Sequence, residues 1–150
     1  MADSKYGINI ITRPRDKDLE EWKEVGDTRK VNVYVDGDIV PGGHYLQGTW
    51  VYKASSTPYP EKTHSHDYSE YLGFVGSNPN DPLDLGGEVD LCIGDEVHTL
   101  TRTSMVFIPG GVNHCPIYFK RVDYPIWLFA TAQMKTYEKE YLEKDEAEKK

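Results

Sequence analysis

Short segments rich in β-branched and aromatic residues, set closely and punctuated by Gly, Pro, Asn and Asp, predict an all-β sandwich or barrel. Two helical stretches, one at each end of the chain, are expected to flank it. Residues 16–25 carry Leu19, Trp22 and Val25 at steps of three, acids in the first turn and Gly26 just beyond, the pattern of a short helix. Residues 31–35 form the first strand, ending at the Asp36-Gly37-Asp38 turn, and 45–54 form the second. Strands follow over 70–75, 88–93, 97–100, 105–108, 117–122 and 126–131, with Gly94-Asp95 as a hairpin turn. From 133 to 150 the β pattern stops, and Tyr137/Tyr141 and Glu140/Lys144 stand four apart, predicting a charged helix with a frayed end. The expected organisation is an N-terminal extension over 1–30, one barrel over 31–132 and a helical tail over 133–150. No internal repeat suggests a second barrel.

A chain of 150 residues can bury a real core, and 11 Tyr, 4 Phe and 3 Trp supply apolar bulk that the 38% hydrophobic share understates. The net charge of −8, from 17 basic and 25 acidic residues, argues against nucleic acid, because that affinity rests on Lys and Arg neutralising phosphates. No apolar run reaches the length of a membrane span and the first residues lack an apolar signal core, so no membrane partner and a cytoplasmic location are expected. Cys92 and Cys115 show no paired spacing, which fits a reducing compartment.

Chemistry concentrates in Thr63-His64-Ser65-His66-Asp67-Tyr68-Ser69-Glu70 and in Ile108-Pro109-Gly110-Gly111-Val112-Asn113-His114. Residues two apart on a strand share a face, so His64 and His66 can reach one centre, and Glu70 keeps their parity. A tight turn at Asp67-Tyr68-Ser69 would start the next strand at Glu70 and aim its carboxylate back at the histidines. Pro109 and Gly111 shape the approach to His114. Three imidazoles and a carboxylate suit one divalent ion, Fe, Mn, Zn, Ni or Co, and leave about two positions of an octahedral ion open to water or substrate. Cys115, next to His114, is expected by alternation to point away from the ion and to act as a small buried apolar residue.

These residues resemble the two signature motifs of the cupin superfamily, G-x5-H-x-H-x3,4-E-x6-G and P-x-G-x2-H. The match runs through the ligand core, His64, His66 and Glu70 in the first motif and Pro109, Gly111 and His114 in the second. The flanks depart: Pro58, Ser77 (beside Gly76) and Thr103 stand where glycines are usual, and Tyr118 where Asn often ends the second motif. The resemblance spans about residues 45–132. It implies a double-stranded β-helix, or jelly-roll barrel, as a single metal-binding unit that pairs into a homodimer.

Superfamily members include isomerases, epimerases, decarboxylases, lyases and dioxygenases as well as non-catalytic binders. The expected function is metal-dependent isomerase-, lyase- or decarboxylase-type chemistry on a small oxygenated substrate, with a dioxygenase or a ligand-binding cupin as alternatives. Metal-bound ligands carry protons poorly, so a further group must do so. Tyr118, four after His114, Tyr52, His98 and His44 are the candidates, with Glu70 itself if its carboxylate alternates between ligand and base. Trp50 and Tyr52 share one strand face, with Gln47 on the other, and Glu88 and Asp90 share a face that reads as solvated. The long 76–87 connection, stiffened by Pro79 and Pro82, is either a rigid surface crossing or a lid or dimer contact.

Overall fold

The computed structural model describes residues 4–21, 27–59, 62–137 and 140–141. Ten strands follow a short helix α1 (Asp16–Glu21): β1 (Arg29–Val35), β2 (Tyr45–Val51), β3 (His64–Ser65), β4 (Glu70–Val75), β5 (Asp84–Ile93), β6 (Glu96–Arg102), β7 (Ser104–Ile108), β8 (His114–Val122), β9 (Ile126–Ala132) and β10 (Glu140–Tyr141). They pair antiparallel into two five-stranded sheets, in the orders β1-β2-β9-β4-β7 and β10-β3-β8-β5-β6. Among the described residues no helix is long and apolar enough to cross a membrane.

The sheets face each other because alternation on each strand turns one apolar row inward. Val51, Leu72, Phe74 and Leu128 of the first sheet pack with Leu85, Val89, Leu91, Ile117 and Phe119 of the second in one buried cluster. On the outer face of the first sheet, Gly48 and Gly73 lie beneath the rings of Trp127 and Phe129. A Cβ there would come within 2.5 and 2.2 Å of ring carbons, so the aromatics of β9 require glycine opposite them.

All eight expected strands are present. Gly94, with φ +58°, opens the two-residue Gly94-Asp95 turn between paired Ile93 and Glu96, as a II′ hairpin requires of its first central residue. The expected helix over 16–25 is seen as α1, and residues 22–25 lie outside the described ones. β5 starts at Asp84, so the irregular crossing spans only 76–83. Side-chain turns stiffen it: Asn80 N–H donates to Asn78 Oδ1, Leu83 N–H to Asp81 Oδ1 and Gly86 N–H to Asp84 Oδ1. It leaves the end of β4 far from Glu70, about 16 Å along the strand.

The helix expected over 133–150 is not supported. Residues 133–137 bend without regular structure, and Glu140–Tyr141 pair with Ser65 and His64 as a strand; 142–150 lie outside the described residues. Two i,i+4 pairs contribute only about 0.2–0.5 kcal/mol each to a helix, whereas burying one large apolar side chain is worth about 1.5–3 kcal/mol. The extended course buries Met134, stacks Tyr137 on Tyr45 with centroids 4.7 Å apart, and lets the Met134 and Lys135 carbonyls accept from Tyr45 and Gly37.

Gly76 gives the sharpest test of this packing. A Cβ on it would sit 1.9 Å from the Asp84 carbonyl oxygen, whereas one on Gly94 meets open space and faces only its left-handed φ. Gly76→Ala is expected to cost more than about 2 kcal/mol and Gly94→Ala about 1, at roughly 2–4 °C of melting temperature per kcal/mol. Thermal melts showing Gly76→Ala within about 2 °C of the parent would refute the close β4–β5 approach.

Candidate metal centre

His64 lies in β3, His66 just after it, Glu70 opens β4 and His114 opens β8, so both sheets contribute. The turn at Asp67-Tyr68 brings Glu70 back under the histidines. Gly111 N–H donates to the His66 carbonyl at 2.7 Å and Gly110 N–H to Ser69 Oγ at 3.1 Å, which clips the second motif onto the first. The two glycines have separate reasons. Gly111 takes φ +82°, and a Cβ on Gly110 would sit 2.5 Å from the Asp67 carbonyl oxygen.

The four side chains are buried, at 1%, 4%, 3% and 1% exposure in chain order, and one ligand atom from each lies within 4.8 Å of the others. Two tautomers are fixed by partners that can only accept. His64 Nδ1–H donates to the Lys62 carbonyl at 2.5 Å and His114 Nδ1–H to the Val112 carbonyl at 2.9 Å, so both Nε2 atoms turn inward. His114 Nε2 then stands 2.7 Å from Glu70 Oε1, and His66 Nε2 stands 3.5 Å from the same oxygen. Glu70 Oε2 is buried without a hydrogen-bond partner. Electron-pair donors this close in a buried site need a cation among them, and three imidazoles with a carboxylate are a donor set for a borderline divalent ion. The residues fit a metal ion. Without one, a proton on a facing imidazole takes that place. Burial alone would raise the Glu70 carboxyl, but the facing imidazoles of His114 and His66 outweigh it and hold it at about 2.

The centre opens on a narrow cavity of about 50 Å³, lined by Tyr45, Gln47, Thr49, Tyr59 and Tyr137 together with Leu72, Cys115, Ile117, Leu128 and Ala130. At about 10–15 Å³ per water on this measure, it holds only a few waters or a ligand of a few heavy atoms. The polar lining is organised: Thr49 Oγ1 and Tyr59 Oη are 3.3 Å apart, and Tyr45 O–H donates to Gln47 Oε1 at 3.2 Å.

Of the proton-transfer residues expected from parity, the structure brings only Glu70 to this centre. Cys115 takes φ +70°, and this reverses the alternation of β8 directly after His114. Positions 115, 117 and 119 therefore face inward, which corrects two expectations: Cys115 lines the cavity, and Tyr118 lies outside with Ala54, Ser55, Asp90 and Lys120. His98 sits exposed on edge strand β6, its Nε2 2.8 Å from Glu96 Oε2. Tyr52 follows the end of β2 and is 41% exposed, and His44 is exposed ahead of β2. Glu88 and Asp90 lie at 3.1 and 3.4 Å from Lys120 Nζ on the outer face, the solvated pair expected.

Sequence reasoning missed Thr49, Tyr59 and Tyr137. Thr49 was within reach, since Tyr45, Gln47 and Thr49 alternate as polar-tipped residues on the inward side of β2. Nothing in the tail's sequence marked Tyr137.

No family model matches the sequence, and no curated protein matches it. Solved structures do resemble the fold. An oxalate oxidase aligns with a TM-score of 0.56 at 11% identity, over 95% of this chain and 67% of its own. The oxalate decarboxylase of Lactobacillus farciminis, solved as a formate complex, aligns with a TM-score of 0.55 at 14% identity, over 81% of this chain; this chain spans only 33% of that enzyme. A cupin-2 domain protein from Rhodospirillum rubrum aligns at 12% identity with a TM-score of 0.49, over 92% of this chain and 78% of its own. At these identities the likeness is one of fold.

His66→Ala is expected to abolish stoichiometric metal in elemental analysis, while His98→Gln and Tyr118→Phe keep it. Retention by His66→Ala would remove His66 from the ligand set. In metal-free protein Glu70 also gives a pH signature. Its folded pKa lies below the ordinary carboxyl value of about 4.3, so its stabilisation is full above that value and is lost as pH falls toward 2. Melts in chelator should show wild type above Glu70→Gln by a constant margin from pH 7 to 5, closing between about 4.5 and 2. A margin independent of pH would contradict the charged pairing.

Proposed function

We propose that this chain, a cupin in fold, is a metal-dependent enzyme acting on a small oxygenated compound. His64, His66, Glu70 and His114 would hold one divalent ion of Fe, Mn, Zn, Ni or Co. The observation that carries the reading is the convergence of Nε2 atoms, two of them in fixed tautomers, and a carboxylate at a small cavity lined by both polar and aliphatic side chains. When bound, such an ion supplies Lewis acidity, polarising a carbonyl or carboxylate oxygen. The chain supplies the rest. Gln47, Thr49 and Tyr59 offer hydrogen bonds, the aliphatic side chains among them limit water, and Glu70 Oε2, without a hydrogen-bond partner, is the atom placed to take a proton. Among the described residues that line the cavity none is Lys or Arg, which favours a neutral or singly charged substrate over a dianion.

Isomerase-, lyase- or decarboxylase-type chemistry fits this arrangement, because it needs an electrophile and one base. A dioxygenase uses the same donor set and is the second reading; a non-catalytic binder is the third. A homodimer is also proposed. Tyr71, Met105 and Phe107 are 50%, 53% and 52% exposed together on β4 and edge strand β7, and Tyr6, Ile8 and Ile10 are 62%, 62% and 70% exposed ahead of α1. Light scattering at micromolar concentration should give twice 17.1 kDa, and only the monomer mass would overturn the pairing.

Turnover should persist without oxygen in the Zn- or Mn-loaded protein on a panel of carbonyl and hydroxy-acid compounds. Glu70→Gln should lower it about 100-fold or more while metal occupancy falls far less. Turnover on catecholic or other substrates that strictly requires oxygen would replace this reading with the dioxygenase. None on any substrate, with metal retained, would leave the binding module.

A further inference from the structure

Tyr137 reaches the centre from outside the motifs. The segment that carries it is held on both sides: Met134 and Lys135 carbonyls accept from Tyr45 and Gly37, and beyond it Tyr141 pairs with His64. Its ring stacks on Tyr45 and lies 5.1 Å from the ring of His66. Its hydroxyl is 3.1 Å from His64 Nε2. Because His64 Nδ1–H is committed to the Lys62 carbonyl, Nε2 is the acceptor of this contact and Tyr137 O–H the donor. That Nε2 is also the lone pair His64 would offer an ion. Metal binding and the Tyr137 contact therefore compete for one pair of electrons, and loading the site turns the hydroxyl toward another acceptor. The half-buried Tyr137 lines the cavity in which a ligand of the ion would sit, which brings its hydroxyl beside such a ligand.

We propose that Tyr137 donates a hydrogen bond to the oxygen, or other acceptor atom, of whatever ligand occupies the open position of the metal. The residue thereby selects oxyanion and carbonyl ligands over ligands without an acceptor, and it deepens the metal-enzyme reading, on which it rests. The hydroxyl stays protonated in this role and the phenol is not a ligand of the ion. Tyr45, stacked beneath it, sets its height over the centre.

The test uses full-length protein loaded with Co(II) and titrated with azide, an anion that accepts hydrogen bonds, at fixed pH. Visible absorption reports both the empty and the azide-bound ion. Tyr137→Phe, which keeps the ring stacking, should bind one Co(II) per chain with an unchanged spectrum before azide is added. Its azide affinity should fall about tenfold, equivalent to about 1.4 kcal/mol. Tyr118→Phe, on the outer face, should match wild type in both readouts. Equal azide affinity in wild type and Tyr137→Phe overturns the proposal, as does a phenolate charge-transfer band in the Fe(III) form that disappears in Tyr137→Phe. Failure of the wild type to bind Co(II) at all would instead overturn the metal-enzyme reading beneath it.

Discussion

The 2.7 Å approach of His114 Nε2 to Glu70 Oε1, with both imidazole tautomers around it fixed by backbone carbonyls, is the contact on which the rest of the site depends. Buried groups of this kind are tolerated only when compensated, and two converging electron-pair donors are compensated only by a cation. The surrounding fold serves that constraint. The Pro109-Gly110-Gly111 turn is clipped to the His66 and Ser69 backbone region, and β3, β4 and β8 each deliver a ligand at or next to a strand end. Strand ends suit this task, because there the ladder holds the backbone on one side while the side chain clears the core.

A second feature shapes the cavity. The left-handed φ at Cys115 exchanges the inner and outer rows of β8 one residue after its ligand. Without that exchange, Tyr118 and Lys120 would face inward and Ile117 and Phe119 would face solvent. The exchange turns Ile117 into the cavity that Gln47 and Thr49 also line, and it places a thiol there. The cavity thereby combines polar side chains of β2 with apolar ones of β8 and of β9, the strand paired with β2, a mixture that suits a small molecule with one oxygenated edge.

The fold class, eight strand positions and the Gly94 turn were legible because alternation and turn residues are local signals. The clustering of His64, His66 and Glu70 was legible because their parity is fixed by two short steps along the chain. Tyr118 and Cys115 were misplaced by the same parity argument, since a single backbone reversal between them and His114 has no signature in the residue names. The C-terminal strand was illegible for a different reason. Its two residues pair with His64 and Ser65 some 75 positions earlier, and the weak i,i+4 pattern of the tail gave no account of Met134 being buried, and Tyr137 partly so, against Tyr45 of β2. Long-range burial outweighed local propensity there, and it carried Tyr137, whose hydroxyl contacts His64 from beyond the motifs.

X-ray absorption at the edge of the bound metal tests the central claim most directly. The account predicts a first coordination sphere of nitrogen and oxygen only, at about 2.0–2.2 Å, with outer-sphere scattering from three imidazole rings. A sulfur scatterer at about 2.3 Å would place Cys115 among the ligands and contradict the three-histidine, one-glutamate centre.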